Sequence, residues 1–555
     1  MGPSVDEQMS DEVAAFADDY FEYRESTDLL RLFMLGQLEH LERWEDVSAE
    51  GAAARQAALR DWAERARQLA DDASRSERVL LDSIAFTAEA SAAQLEGRNE
   101  QTTVNPAFGF HNSLLTYAGK FVLTTAEHGE AYLTKLDTLP VFLGSLSDEV
   151  RTAAASGRVA LRRHLAASAT SIDAFTDTPT GATDPLCAQP APSELDEDAA
   201  TTWATRRDEI VATKVRPALA AYGATLAELA PSGRSDEAAG LLHVEGGVEL
   251  YQRLVWSHTT TDLTPEQIHQ IGLDQIAKLA EEYVEMAGPI VGSDDVDEIL
   301  RRLRDDEEMK YRSGADIVRD ATVALERANA AAGDWFNALP ESECTANEIP
   351  RGPLAYYSTP DPASGKPGRF FFNTSNPSAW STYQLEAVTF HESIPGHHLQ
   401  LAIHAETDTL HPAQRRLGIT AYLEGWGLYT ERLADEMGLY SSELARVGML
   451  AADSMRACRL VVDTGMHALG WSRQEAIDYM VANSPLSVDL IEGEIDRYIG
   501  MPGQALSYMI GRLELDAIRA EAEQSDDFDI KTFHDQVLGH GMVTLPTLRD
   551  IVLGA

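Results

Sequence analysis

Lysine is nearly missing from this chain: seven lysines stand beside 38 arginines in 555 residues, and these 45 basic groups face 90 aspartates and glutamates. The formal charge of −45 repels a polyphosphate and argues against a nucleic-acid partner. A lysine-poor acidic surface suits either a protein solvated in concentrated salt or an acidic protein of a high-GC bacterium. Cysteine is as scarce. Cys187, Cys344 and Cys458 are far apart, odd in number and outside any Cys-x-x-Cys pair, so neither a disulfide framework nor a thiolate zinc site is indicated. No apolar run approaches the ~20 residues of a membrane span. The start MGPSVDEQMSDEVAAF has neither the basic nor the apolar stretch of a secretory leader. These absences point to a soluble, cytoplasmic protein without a membrane partner, with a homodimer as its conceivable self-association. Phosphate and nucleophile motifs are missing too: Ser364-Gly365-Lys366-Pro367 is no phosphate loop, and no Gly-x-Ser-x-Gly elbow occurs.

What is present is a globular composition, 44% hydrophobic with 8 Trp, 16 Phe and 17 Tyr. From about residue 10 to 165 apolar residues recur at three and four, as in Ala53 to Leu69, and predict successive amphipathic helices. Residues 170 to 200, with four prolines among Thr, Ser and Asp, read as a surface connection. A second helical block follows to about 335, with a start signal at Thr264-Pro265-Glu266. Residues 350 to 380 change texture around Phe370, Phe371 and Phe372, which read as a short strand or hairpin, and helix returns from Thr382. The expectation is one mainly α unit over 1–555: an N-terminal helical lobe (1–170), a linker-like excursion (171–200) and a helical body (201–555).

The chemistry concentrates in Tyr383 to Leu401, YQLEAVTFHESIPGHHLQL. A His-Glu pair followed within two turns by another His lets two imidazoles hold one Zn²⁺ per chain while the carboxylate takes a proton from water. His391 is the first candidate ligand and Glu392 the candidate base. Position 395, one turn on, is proline, so the second ligand is His397 or His398. A bulge at Pro395-Gly396 returns His397 to the face of His391, whereas an undistorted helix favours His398. The segment ITAYLEGWGLYTERLADEMG offers Glu424 as third ligand, 27 residues after His397. Glu431, seven residues further, falls on the same face and is either a partner orienting a ligand imidazole or a surface carboxylate.

HESIPGHHLQ followed by YLEGWGLYTE resembles the prokaryotic family known as domain of unknown function 885, relatives of the gluzincin-type zinc metallopeptidases. The resemblance extends to GGVELYQRLVWSHTTTDLTPEQIHQIGL, RLVVDTGMHALGW, RYIGMPGQALSYMIG and FHDQVLGHGMVTLPTLRD, and is looser over the N-terminal third. It implies a large helical two-lobed clamshell of the oligopeptidase or helical carboxypeptidase type, with a small β-hairpin beside the metal helix. His391, His397 and Glu424 would be ligands and Glu392 the general base. The FFF strand would align substrate backbone by strand addition, bringing Phe372 and Asn373 to substrate, or else is a buried core strand.

Oxyanion donors are sought in RYIGMPGQALSYMIG, where Tyr498 and Tyr508 flank Pro502-Gly503-Gln504. Gln504 shares a face with Tyr508, and Arg497 could pair a substrate carboxylate. Arg459, Asp463 and His467, spaced by four, form an expected ion-pair ladder that supports the site or ties helices together. His540, between two glycines, is a candidate for the cleft wall. The reading is a zinc-dependent hydrolase cleaving peptide or peptide-like amide bonds in small substrates. Its rivals are an amidohydrolase of a small metabolite and a non-catalytic binding or scaffold protein of the same fold.

Overall fold

The computed structural model describes residues 9–98, 104–179, 181, 184–350, 353–362 and 365–554. The first eight residues of the start considered above, and Ser364, lie outside them. Helix dominates throughout, as the periodicity predicts. Asp11–Thr27, Ala49–Ala70 and Arg75–Gly97 turn Phe16, Tyr20, Ala63, Leu81 and Ile84 inward. These side chains share one core with Ala324, Ala328, Tyr422, Trp426, Leu515 and Val537, so the first helices pack directly behind the segments that carry the metal motif. A second core gathers Ala126–Ala155, Arg162–Thr176 and Arg216–Leu229 around Tyr132, Leu139, Leu165, Trp203 and Leu219.

The excursion between these blocks is stitched to the second core. Leu186 is fully buried, and the Gln189 amide bonds both ways with the Phe121 backbone, at 2.9 and 2.8 Å. Pro265–Met286 begins where the start signal lies: the Thr264 hydroxyl accepts from Gln267 N–H while the Gln267 side chain accepts from Thr264 N–H. It lies along the 27-residue helix Glu443–Leu469, which is buried almost all round and forms the spine of the C-terminal half. Within that spine the buried Asp453 accepts from Arg432 and Arg512, both at 2.6 Å, tying two neighbouring helices to it. No helix among the described residues is long and apolar enough to cross a membrane.

The small β element is larger than the hairpin expected. β1 (Cys344–Ile349), β2 (Ala355–Ser358) and β3 (Gly368–Asn373) form a mixed sheet in the order β1-β3-β2. β1 runs parallel to β3, and β2 antiparallel. β3 alternates buried Phe370 and Phe372 with half-buried Arg369, Phe371 and Asn373, whereas CTANEI in β1 has no such alternation to announce a strand.

One carboxylate joins Asp11–Thr27 to Arg75–Gly97. Glu77 Oε1 accepts from the Ser10 N–H and hydroxyl at 2.8 and 2.6 Å, and its Oε2 accepts from the Ser74 N–H at 2.9 Å. These bonds hold the Glu77 carboxyl down to about 2 from an ordinary 4.5, so its stabilisation is complete above the ordinary value and is lost as pH falls toward the lower one. Glu77→Gln is expected to lose about 1–2 kcal/mol at neutral pH in urea unfolding and to flatten the acid limb of the stability profile. An unchanged acid limb would show that other carboxylates set it.

Candidate metal centre

The motif helix Gln384–Glu392 stops where Pro395 cannot donate to the preceding turn, and the chain restarts as His397–Glu406. Gly396 is pressed onto the end of the first helix. Its N–H donates to the Phe390 carbonyl at 3.0 Å, and a Cβ there would stand 1.9 Å from the His391 carbonyl oxygen. The indole N–H of Trp426 braces the break from outside, donating to the Pro395 and Gly396 carbonyls at 3.0 and 3.3 Å. The four-residue interruption turns His391 and His397 onto each other, with ring centroids 4.7 Å apart and planes at 86°.

Glu424, on Thr420–Glu436, closes the cluster. Its Oε2 lies 3.7 Å from His391 Nε2 and 3.4 Å from His397 Nε2, and one donor atom from each of the three residues lies within 4.8 Å of the others. Two imidazole nitrogens and a carboxylate oxygen are a donor set suited to a catalytic divalent cation such as zinc. Burial opposes charge at Glu424, but the two imidazoles override it and hold the carboxyl well below the usual carboxylate range. Burial likewise pushes His391 down, while its bonds with Glu424 and Glu431 raise it to about 9.

The other side of His391 is fixed by Glu431, whose Oε1 accepts from Nδ1 at 2.8 Å. Glu431 is 1% exposed, not a surface carboxylate. Arg456 Nη2 stands 3.6 Å from the same oxygen. Glu392, next to His391, is half-buried, and among the described residues nothing hydrogen-bonds to or pairs with its carboxylate. Burial and Glu424 favour its protonated form and the two imidazoles oppose this, leaving its carboxyl raised.

Tyr508 is the candidate donor nearest this cluster: its ring stacks 6.5 Å from that of His391 at 25°, with the Arg459 guanidinium 4.5 Å from its centroid. The structure places the remaining candidates elsewhere. His398 is turned to the sheet, accepting from the Tyr357 hydroxyl at Nδ1 (2.8 Å) and reaching the Ser342 carbonyl through Nε2 (3.0 Å). The Tyr498 hydroxyl is spent in the core, donating to Glu494 at 2.5 Å and accepting from Arg459 at 2.7 Å. Arg497 donates to Gln504 at 2.6 Å and sits 3.4 Å from Glu494, so these two expected substrate contacts satisfy one another. Phe372 is fully buried against Phe370 and Trp380, and the Asn373 side chain accepts from the Ser375 N–H and hydroxyl. Strand addition to β3 is corrected by the sheet order, since β1 and β2 already flank it. His540 lies in the turn after Ile530–Leu538, its carbonyl accepting from Gln414 at 3.4 Å.

The expected ladder does not form either. Asp463 accepts from the Tyr251 hydroxyl at 2.6 Å and from Gly503 N–H at 3.1 Å. His467 accepts from Leu241 N–H and reaches the Tyr498 carbonyl, both at 3.1 Å, while Arg459 pairs with Glu494 at 2.8 Å. Each residue ties the spine to neighbouring segments, Arg459 and His467 both reaching the helix Val488–Gly500.

Three residues of the site carry no motif of their own. Besides Trp426 and Arg456, Gly427 touches the His391 ring: a Cβ there would stand 2.6 Å from His391 Cε1 and 2.7 Å from Nε2. The only linear hint is that Gly-Trp-Gly follows Glu424 directly.

Fold and cluster together define a mainly helical protein with a buried His–His–Glu constellation at a helix break. The chain belongs to the family described as bacterial protein of unknown function DUF885, whose profile matches residues 32–552. No curated protein matches it. Among solved structures, a candidate lipoprotein from Colwellia psychrerythraea shares the fold at TM-score 0.90, with 24% identity over 98% of each chain. A candidate lipoprotein of unknown function from Shewanella oneidensis does so at TM-score 0.75, with 18% identity over 98% of this chain and 100% of that one.

Trp426→Phe keeps most of the ring volume and removes the N–H that braces the break. It is expected to lower the unfolding free energy by about 1–3 kcal/mol in urea titrations. A change below about 0.5 kcal/mol would show that the break holds without it.

Proposed function

We propose that this chain is a zinc-dependent hydrolase of the metallopeptidase kind, cleaving peptide or peptide-like amide bonds in small substrates. The observation that carries the reading is the convergence of His391, His397 and Glu424 within 4.8 Å, beside the unpartnered Glu392 carboxylate. These three residues would hold one zinc ion. Bound there, zinc supplies Lewis-acid polarisation of the amide carbonyl and lowers the pKa of water.

The chain's own groups do the rest. Glu431 holds His391 in one orientation through Nδ1 and leaves Nε2 for the cluster. Glu392 takes the proton of the attacking water and returns it to the leaving amine. Tyr508, its ring fixed between His391 and Arg459, presents a hydroxyl to the oxyanion that develops on the carbonyl. Gly427 leaves the space His391 occupies. Small amides fit this reading because water, base and oxyanion donor all come from one buried cluster.

Elemental analysis of protein purified without chelator is expected to give about one zinc per wild-type chain and little in Glu424→Ala. Glu392→Gln should keep the zinc and lose at least about a thousandfold in hydrolysis of a panel of short peptides. Wild-type protein that takes up no zinc sinks the hydrolase reading and leaves a binding or scaffold role. Zinc uptake with turnover of small-metabolite amides alone would move the substrate class.

Independently of turnover, Glu431→Gln and Gly427→Ala should each weaken zinc binding about 10- to 100-fold in competition with a chromophoric chelator. Unchanged affinity in both would mean that His391 is not a ligand.

A further inference from the structure

A cavity of about 310 Å³ opens between the first three long helices, and none of its lining residues belongs to the metal cluster. Its charges do not balance pair by pair. Arg31 takes both Glu25 and Asp28, at 2.5 and 2.8 Å, and Arg55 takes Glu45. Arg24, on the cavity wall, is left over. Among the described residues no carboxylate lies within ion-pair distance of it, and its one hydrogen bond goes to the Arg416 carbonyl at 3.3 Å. Glu25 and Asp28 reach it only at longer range. The Nε–H of Arg55, in the same wall, is buried without an acceptor.

Arg24 is half-buried and has no counter-charge at close range, and the buried Arg55 Nε–H beside it lacks a partner, which is costly to leave unmet. Asp28 and Glu45 share the wall with Arg24, but Arg31 and Arg55 take them, so neither reaches the Arg24 guanidinium at ion-pair distance. Leu59 and Leu95 give the cavity an apolar portion, while Ser91 and Gln94 add polar groups. Asp28 and Glu45 in the same wall work against more than one negative charge on any occupant.

We propose that this cavity is a binding site for a small organic monocarboxylate with an apolar body. The carboxylate accepts from the Arg24 guanidinium and the Arg55 Nε–H, and the hydrocarbon part lies along Leu59 and Leu95. The volume falls at the small end of ligand pockets, about 300–1,000 Å³, which sets an upper size near that of a medium-chain acid or an aromatic acid. The site does not depend on the metal reading, and its test needs no turnover.

The experiment is calorimetric titration of the full chain with hexanoate and benzoate, against hexanol and inorganic phosphate as controls. Hexanoate or benzoate is expected to bind one to one, hexanol not at all, and Arg24→Gln should weaken the carboxylate by at least about tenfold. Arg24→Lys keeps the charge and loses the fork, so a loss of at least about threefold is expected there too, which decides the matter if the glutamine variant does not fold. No saturable binding of either acid, binding unchanged in a folded Arg24 variant, or tighter binding of phosphate than of hexanoate would overturn the proposal.

Discussion

The candidate site depends on an interrupted helix, broken at Pro395 and braced by one indole. A continuous helix from Gln384 would carry the second imidazole past the first. Four residues of non-helical chain, capped from outside by the Trp426 N–H, fold the two imidazoles into nearly perpendicular contact. Trp426 sits between Glu424 and Gly427 on the helix that supplies the third donor, so the brace and the candidate ligand arrive on one rigid element. The register of that helix thereby sets the break, the carboxylate and the space for His391 together.

Around this point the acidic chain uses its arginines to connect helices. Asp453 draws Arg432 and Arg512 to the spine, Arg456 stands behind Glu431, and Arg459 spans Glu494 and Tyr498. The planar fork of arginine serves several acceptors at once, which a lysine ammonium does with less directional control. The bias toward arginine, readable as composition alone, acquires a structural use here. Buried pairs of this kind are poor evidence for net stability, but removing one partner leaves a buried charge behind.

What could be read without the structure was the periodic part. Helices over the first 165 residues, the capped start at Thr264, and His391 with Glu392 follow from spacing and local chemistry. The choice between His397 and His398 could not be made from spacing, because it turns on how far the chain unwinds at Pro395, where the Trp426 indole, some thirty residues away, donates to the break. The tyrosines posed the same difficulty. Tyr498 and Tyr508 look alike in the chain, and only Glu494 and Arg459 show that one hydroxyl is already engaged. The evenly spaced Arg459, Asp463 and His467 suggested a ladder within one helix, whereas each found a better partner across a helix interface. β1 escaped because a parallel strand whose neighbour lies a long connection away has no turn to reveal it.

The central position of β3 carries a different consequence. Phe370-Phe371-Phe372 is apolar, rich in β-propensity and uncharged, the composition that self-assembles into fibrils when its backbone is left open. Here both of its backbone edges are saturated by its neighbours, and two of its three rings lie inside a local core. The edges left open belong to β1, which bears Asn347 and Glu348, and to β2, only four residues long. Such strands template poorly. The sheet beside the His391 helix thus also sequesters an aggregation-prone segment of this chain.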